Sequence, residues 1–406
     1  MVKMSTNTYS RALTKCLFKK DFNLDVEIPE NTLCPPIPNR LNYILWIEDL
    51  LSECQLNDGT VLGIDIGVGA TCVYPLLGCA NNESWQFIGT EIDPKSIDSA
   101  ENNIKRNNLQ SRIKIFHNTN SSCILPLDEL ESHGYISQDS QVTFSMCNPP
   151  FFKSIEEIQS GIDAKVDEPS AVCTGTHSEM ITDGGEVAFI TKMVQESIKW
   201  KRRIIWFTTM IGKRDTLVKI KQELAANNID NYTVTEFNQG HTRRWGFAWS
   251  FGDKRVTNNP DDLATAKKLR QVQAPKVQFS NQLPTDANKA REEMQGILDD
   301  LDATKISSND NQILGSMYNN TWSRKARRQK AQNIKIETTK ADTEALFEFR
   351  LDFEQIDNDY TKVTATWTKG KDRDIFESFW NHIKKRIEQT FGIVHGDKFG
   401  QALSGK

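Results

Sequence analysis

At 406 residues, with 50 Lys and Arg against 54 Asp and Glu and a net charge of -4, the chain has room for two domains and is not basic overall. Any nucleic acid must then be met by local patches, not by the field of the whole protein. No apolar run reaches membrane-spanning length, the first residues lack an apolar signal core, and the eight cysteines show no Cys-x-x-Cys pair or partnered His spacing; a soluble, intracellular protein with reduced thiols and no metal site is expected.

Residues 10–20 read as a short helix capped by Ser10, with Leu13 and Leu17 on one face and Arg11, Lys15 and Lys19 recurring on another. Such a basic stripe is either a solvated face or a nucleic-acid contact. A connector containing Pro29, Pro35, Pro36 and Pro38 leads into an amphipathic helix over 40–51. From Val61 onward strands and helices alternate. Strands are predicted at 61–66, 85–92, 112–116, 142–147 and 203–210, and helices at 95–108, 180–201 and 217–227. Two further strands, 231–237 and 245–251, are expected to form an antiparallel hairpin around a loop at 238–244. This order predicts an α/β fold: a Rossmann-like, doubly wound sheet ended by a hairpin, with ligand loops at the carboxyl ends of its strands.

Three of those strand ends carry chemistry. The first closes in Asp65-Ile66-Gly67-Val68-Gly69-Ala70-Thr71, where glycines let backbone approach a ligand. A pyrophosphate would be repelled by Asp65, whereas the charged amino acid end of S-adenosylmethionine would not, and Cys72 stands where a nicotinamide site wants a third glycine or alanine. Glu91, at the end of the second strand, is placed for ribose hydroxyls. The fourth strand stops in Asn148-Pro149-Pro150-Phe151. Neither proline can donate to a sheet ladder, and Pro149 biases Asn148 towards extended backbone. A stiff turn results, in which the Asn148 side-chain oxygen and the Pro149 carbonyl can accept from one exocyclic amino group while Phe151 offers a face for stacking.

Together these features predict a methyltransferase, and residues 10–251 resemble the methyltransferase-like 16 family of RNA adenosine N6-methyltransferases. The likeness is carried by the run from Arg40 to Asp49, the glycine loop from Gly63, Thr90-Glu91-Ile92-Asp93, Cys147-Asn148-Pro149-Pro150-Phe151-Phe152, Gly184-Gly185-Glu186, and the run from Gln239 to Phe251. It implies a class I methyltransferase sheet and S-adenosylmethionine as cofactor. It also implies adenosine in a structured RNA as substrate, U6 small nuclear RNA in eukaryotic members, and a nuclear location. Arg40, Gly67, Thr71, Glu91 and Asn148 carry over to the cofactor, Asn148 and Phe151 to the adenine, and the hairpin loop to RNA, with His241 where an arginine is usual. Competing readings are an RNA-binding or chaperone protein with secondary methyltransferase activity, and methylation of another planar amine in rRNA, DNA or a protein glutamine.

The foremost expected RNA contacts are Arg243 and Arg244 on the hairpin loop, joined by Arg11 and Lys15 and by Arg324, Lys325, Arg327 and Arg328 in the basic run 322–330. The loop 153–168 carries more acid than base and suits a lid better than a phosphate clamp. Residues 253–321 read as a polar linker with one helix, 287–301. The segment 322–406 reads as a small α+β domain: Phe347, Phe349, Leu351 and Phe353 alternate, as do Val363, Ala365 and Trp367, and a helix face runs from Ile375 to Ile387. That pattern resembles the kinase-associated-1-like RNA-binding module of the same family.

Overall fold

The computed structural model describes residues 6–157, 177–239, 242–257, 275–309, 311–324, 326, 328, 344–357 and 359–393. The chain divides into two units, the first built on residues up to Gly252 and the second on Asp253–Thr257 together with residues from Lys276 onward.

The first unit opens with α1 (Thr6–Phe22) and α2 (Ile37–Glu53) and continues with β1 (Val61–Ile66), α3 (Val73–Asn81), β2 (Trp85–Glu91), α4 (Pro94–Arg106), β3 (Ile113–His117), α5 (Leu127–Ser132) and β4 (Val142–Cys147). After a single helical turn, α6 (His177–Met180), come α7 (Gly185–Trp200), β5 (Ile204–Ile211), α8 (Arg214–Ala226), β6 (Tyr232–Gln239) and β7 (Thr242–Trp249). The strands make one sheet in the order β3-β2-β1-β4-β5-β7-β6, in which β7 runs antiparallel to both β5 and β6. The order reverses between β1 and β4, which opens a crevice at their carboxyl ends. Their two loops, the glycine loop and the Asn-Pro-Pro-Phe turn, are therefore neighbours.

β4 is buried along its whole length and β1 nearly so, because helices cover both faces of a parallel sheet. Around them, Phe144, Trp206, Phe207, Phe247 and Trp249 are fully buried, each contributing about 1.5–3 kcal/mol of transfer free energy. The scaffold beneath the loops is correspondingly rigid.

Three expectations are corrected here. Leu13 is 61% exposed, and α1 instead buries Thr14 and Phe18, so its buried stripe lies one residue round from the predicted one. The helix predicted from 180 starts at Gly185, because Gly184 and Gly185 both adopt left-handed backbone (φ 74° and 70°) that a continuous helix cannot accept. Finally, β6 and β7 extend to Gln239 and Thr242, so Arg243 and Arg244 are strand residues, paired with Asn238 and Phe237, and not loop residues. Gly240 and His241 lie outside the described residues.

The second unit is a five-stranded antiparallel sheet in the order β8-β12-β11-β10-β9, from β8 (Gln278–Leu283), β9 (Thr304–Asn309), β10 (Gln312–Met317), β11 (Phe347–Gln355) and β12 (Thr361–Gly370). Two helices, α9 (Ala287–Asp300) and α10 (Arg373–Thr390), share its core with the alternating Phe347, Phe349, Leu351 and Phe353. Three strands and a helix thus come from the stretch expected to be a linker, and a boundary at 321 falls inside the domain. For two of the three strands the physical reason is edge position. β8 and β9 flank the sheet, and edge strands keep polar residues that blunt aggregation, so their composition imitates a linker. Trp322, at the head of the basic run, is buried against Phe347 and Phe379 and donates to the Ser378 hydroxyl at 3.2 Å.

Candidate active site

The glycine loop turns sharply after β1. Gly67 and Gly69 take φ of 71° and 65°, a left-handed conformation that favours residues without a Cβ. The Gly67 and Val68 amides donate to the Thr90 carbonyl at 2.9 and 3.1 Å, and the Gly69 amide donates to Glu91 Oε2 at 2.9 Å. Glu91 Oε1 accepts from the Ile92 and Asp93 amides. Glu91 therefore ties the loop to the end of β2. Burial raises its carboxyl while those three amides oppose the rise. Cys72, where no third glycine stands, is itself left-handed (φ 56°) at the start of α3.

A cavity of about 390 Å³ lies over this loop, lined by Arg40, Gly67, Gly69, Thr71, Glu91 and Asn148 among others. Asp65, in β1 directly before the lining residues Ile66 and Gly67, is buried with neither carboxylate oxygen hydrogen bonded. Burial, then the Glu91 charge, push its pKa up to about 8, with the Arg40 guanidinium pulling the other way. An unpaired buried acid is costly, about 1–3 kcal/mol or more, and it is the group an ammonium would satisfy. Arg40, buried against the Tyr74 ring at 5.6 Å, is the matching partner for a carboxylate. The donor set fits an amino acid with a ribose attached, which is S-adenosylmethionine's outline. Among the described residues no cluster of three His, Cys, Asp or Glu is arranged to hold a metal ion.

Asn148 enters the same cavity from β4. Its side-chain oxygen is buried without a hydrogen-bond partner, and Pro150 lines the wall beside it. The strand end is pinned by Tyr43 of α2, whose hydroxyl accepts from the Cys147 amide at 3.3 Å and shares a hydrogen bond with Thr208 of β5 at 2.7 Å. Beyond the prolines, Phe152 pairs with the 180–182 segment through two backbone hydrogen bonds of 3.0 Å. The Phe151 ring is half-buried, with the Arg244 guanidinium 5.4 Å from its centre.

The remaining predicted residues fall into separate roles. Strand alternation sends Arg244 towards Phe151 and Arg243 to the opposite face, where it lies 3.7 Å from the buried Glu236 carboxylate. Lys15 is exposed beside Glu27 at 3.4 Å. Arg11, expected at the RNA, instead donates to the carbonyls of Ile28, Pro29, Glu30 and Thr32 at 3.4, 2.5, 2.6 and 2.7 Å. It clasps the connector whose Leu33 and Pro35 form one wall of the cavity. The Leu33 amide continues that wall by donating to Glu179 at 3.2 Å. Arg324 and Arg328 are exposed on the second unit. Lys325, Arg327 and residues 158–168 of the predicted lid lie outside the described residues. Sequence reasoning missed Tyr43, Glu179 and the clasp by Arg11; only Tyr43 had a signal, its place in the run from Arg40 to Asp49.

A switch-point crevice, a glycine loop with an acid at each strand end, and an Asn-Pro-Pro-Phe turn define a class I S-adenosylmethionine-dependent methyltransferase that acts on a planar amine. A family model described as an RNA methyltransferase matches residues 2–253. The U6 small nuclear RNA (adenine-(43)-N(6))-methyltransferase of Schizosaccharomyces pombe is 36% identical over 384 residues, 94% of this chain and 93% of that protein. Human RNA N(6)-adenosine-methyltransferase METTL16 is 38% identical over 270 residues, 66% of this chain but only 46% of its own length. A crystal structure of the human catalytic domain in complex with MAT2A 3'UTR hairpin 1 matches with a TM-score of 0.55 and 38% identity, over 62% of this chain and 83% of that one. The chain belongs to the METTL16 family of RNA methyltransferases.

Proposed function

We propose that this protein transfers a methyl group from S-adenosylmethionine to N6 of an unpaired adenosine in a folded RNA, with U6 small nuclear RNA as the first substrate to test. The single observation that carries the chemistry is the Asn148 side-chain oxygen, buried in the cofactor cavity and without a partner. Membership of the family supports RNA as the carrier of the amine. The near full-length match to the fission yeast enzyme supports U6, and a nuclear location follows from that substrate.

When bound, S-adenosylmethionine supplies an electrophilic methyl group on a sulfonium. Asp65 and Arg40 hold the two charged groups of an amino acid, and Glu91 faces a ribose. Asn148 Oδ1 and the Pro149 carbonyl accept the two N6 hydrogens and favour a more tetrahedral nitrogen, whose lone pair is otherwise delocalised into the ring. The two prolines keep both acceptors from relaxing away. Because no strong base adjoins Asn148 among the described residues, most of the acceleration comes from placement, which can supply about 7–11 kcal/mol. The target base must leave its stack, at a cost of a few kcal/mol that is smallest for an unpaired base. Stacking on Phe151 returns about 1–3 kcal/mol. A base on the face covered by Arg244 first exchanges with a cation–π contact worth about 0.5–1 kcal/mol, so the exchange favours the base. Arg244 and Lys15 in the first unit, and Arg324 and Arg328 in the second, supply positive charge for phosphates.

Purified protein incubated with labelled S-adenosylmethionine and, separately, U6 RNA, DNA and a protein pool tests the reading. Label in U6 at a single unpaired adenosine is expected; label confined to protein or DNA would overturn it.

A further inference from the structure

Gly184-Gly185-Glu186 carries a buried acid that the chemistry above does not use. Glu186 is 2% exposed and lines no part of the cofactor cavity. Its carboxylate accepts from the Gly212 amide, from the Lys213 amide at 3.2 Å and from the Thr216 hydroxyl at 2.6 Å. The two amides belong to the turn between β5 and α8, and Thr216 lies in the first turn of α8.

That turn is the surface on which the aromatic pair rests. A Cβ at Gly212 would lie 2.6 Å from Phe151 Cδ1 and 2.8 Å from Cε1, so the ring lies against bare backbone there, and only glycine allows it. Lys213 places its ammonium 5.4 Å from the centre of the Phe152 ring. The segment leading into Glu186 holds the same aromatic stretch from its other end: Thr182 donates to the Phe152 carbonyl, and Gly185 donates to Thr182 at 2.9 Å. One short stretch thus fixes the backbone of Phe152 directly and the seat of Phe151 through a carboxylate. Burial raises the Glu186 carboxyl against its three donors, so the site keeps this acid for the hydrogen bonds it makes.

We infer that Glu186 is a positioning residue for the reaction, holding the Gly212–Lys213 backbone as the rigid seat that sets the plane of the Phe151 ring for adenine stacking. The alternative is that Glu186 only caps α8 and serves stability. The inference rests on Phe151 being the stacking residue, so the first readout needs no RNA. With 4-fluorophenylalanine placed at position 151, the fluorine resonance is expected to be single and narrow, and to broaden or split in Glu186→Gln. In turnover, Glu186→Gln is expected to lower kcat by up to about 10²-fold, as a displaced reacting group does, with KM for S-adenosylmethionine unchanged. Combined with Phe151→Ala, it should cost no more than Phe151→Ala alone, to within about twofold. Thr216→Val removes one donor only and should give the same pattern more weakly if Glu186→Gln folds poorly. An unchanged fluorine resonance, or losses that multiply in the double variant, would assign Glu186 to stability alone. Failure of the unaltered enzyme to methylate any RNA would instead strike the proposed function, with the ring readout still standing.

Discussion

The two halves of the crevice are built on opposite terms. On the cofactor side, Asp65 and Asn148 present buried oxygens with no partner, held by a scaffold that cannot relax to satisfy them. On the rim, Phe151 and Phe152 already have partners in Arg244, Lys213 and the 180–186 segment. The first half gains by being filled, because an orphaned polar group costs most while it stays unmade. The second half can only exchange one contact for another. The difference predicts a cofactor site that is specific and pH-linked, and an RNA site whose individual contacts are each modest.

The largest effect is expected at the junction of the halves. Asn148→Ala should lower kcat by about 10²–10³-fold or more, the range for removing one group that stabilises a transition state, while RNA affinity stays within a few-fold. A parallel loss of RNA binding would make Asn148 structural and erase the contrast. Next in size is Asp65. Asp65→Asn should weaken S-adenosylmethionine by about 10- to 100-fold, as loss of a charged hydrogen bond does, without altering RNA affinity. Its titration gives a sharper test. The folded pKa is raised from 3.8 to about 8, so its contribution to stability is fully present below about pH 3.8 and is lost as pH rises through about 8. An ammonium beside the carboxylate reverses the shift, so cofactor binding near pH 7 should release up to about one proton, and none well above pH 9. Calorimetry in buffers of different ionisation enthalpy measures this directly; proton uptake would place the ammonium elsewhere.

How much of this was legible in the sequence follows the same division. Asp65, Gly67, Glu91 and Asn148 each close a strand in a short contiguous motif, so the alternating pattern alone carried them to one crevice. Arg11 was misread because its partners lie 17 to 21 residues away, and a charged stripe looks the same whether it meets phosphates or carbonyls. Arg243 and Arg244 were placed on a loop because Asn238 and Gln239 give no strand signal; their pairing comes from the hairpin's register. The polar edges β8 and β9 hid for want of alternation, whereas β11 and β12, with an apolar residue at every second position, were plain. Glu186 was visible only as part of a family motif, since its donors come together through the fold.

The Arg11 clasp gives the third prediction in size. Its four carbonyl contacts hold the connector that walls the cofactor cavity, so Arg11→Ala should weaken S-adenosylmethionine by about fivefold to tenfold, roughly the net worth of one ordinary hydrogen bond, in the absence of RNA. Isothermal titration with the cofactor alone reads this. A variant that binds cofactor normally but loses RNA would return Arg11 to the nucleic-acid surface and leave the clasp without consequence.

The smallest and most discriminating pair is Arg244 and Arg243, adjacent in sequence and on opposite faces of β7. Arg244 lies over Phe151, so Arg244→Ala removes a positive charge next to the incoming base while freeing the ring face; because the charge serves phosphates, RNA affinity should fall by about threefold to fivefold, and less at high salt, with Tm unchanged. Arg243 faces Glu236, whose side chain is 1% exposed and whose oxygens accept no hydrogen bond. Arg243→Ala therefore leaves a buried carboxylate without its nearby cation, and should lower Tm while leaving RNA affinity nearly unchanged. Binding and melting measured on both variants separate the two arginines. Equal losses of RNA affinity would mean that strand alternation does not divide them, and that the rim meets RNA as a diffuse basic edge instead of through the Arg244–Phe151 contact.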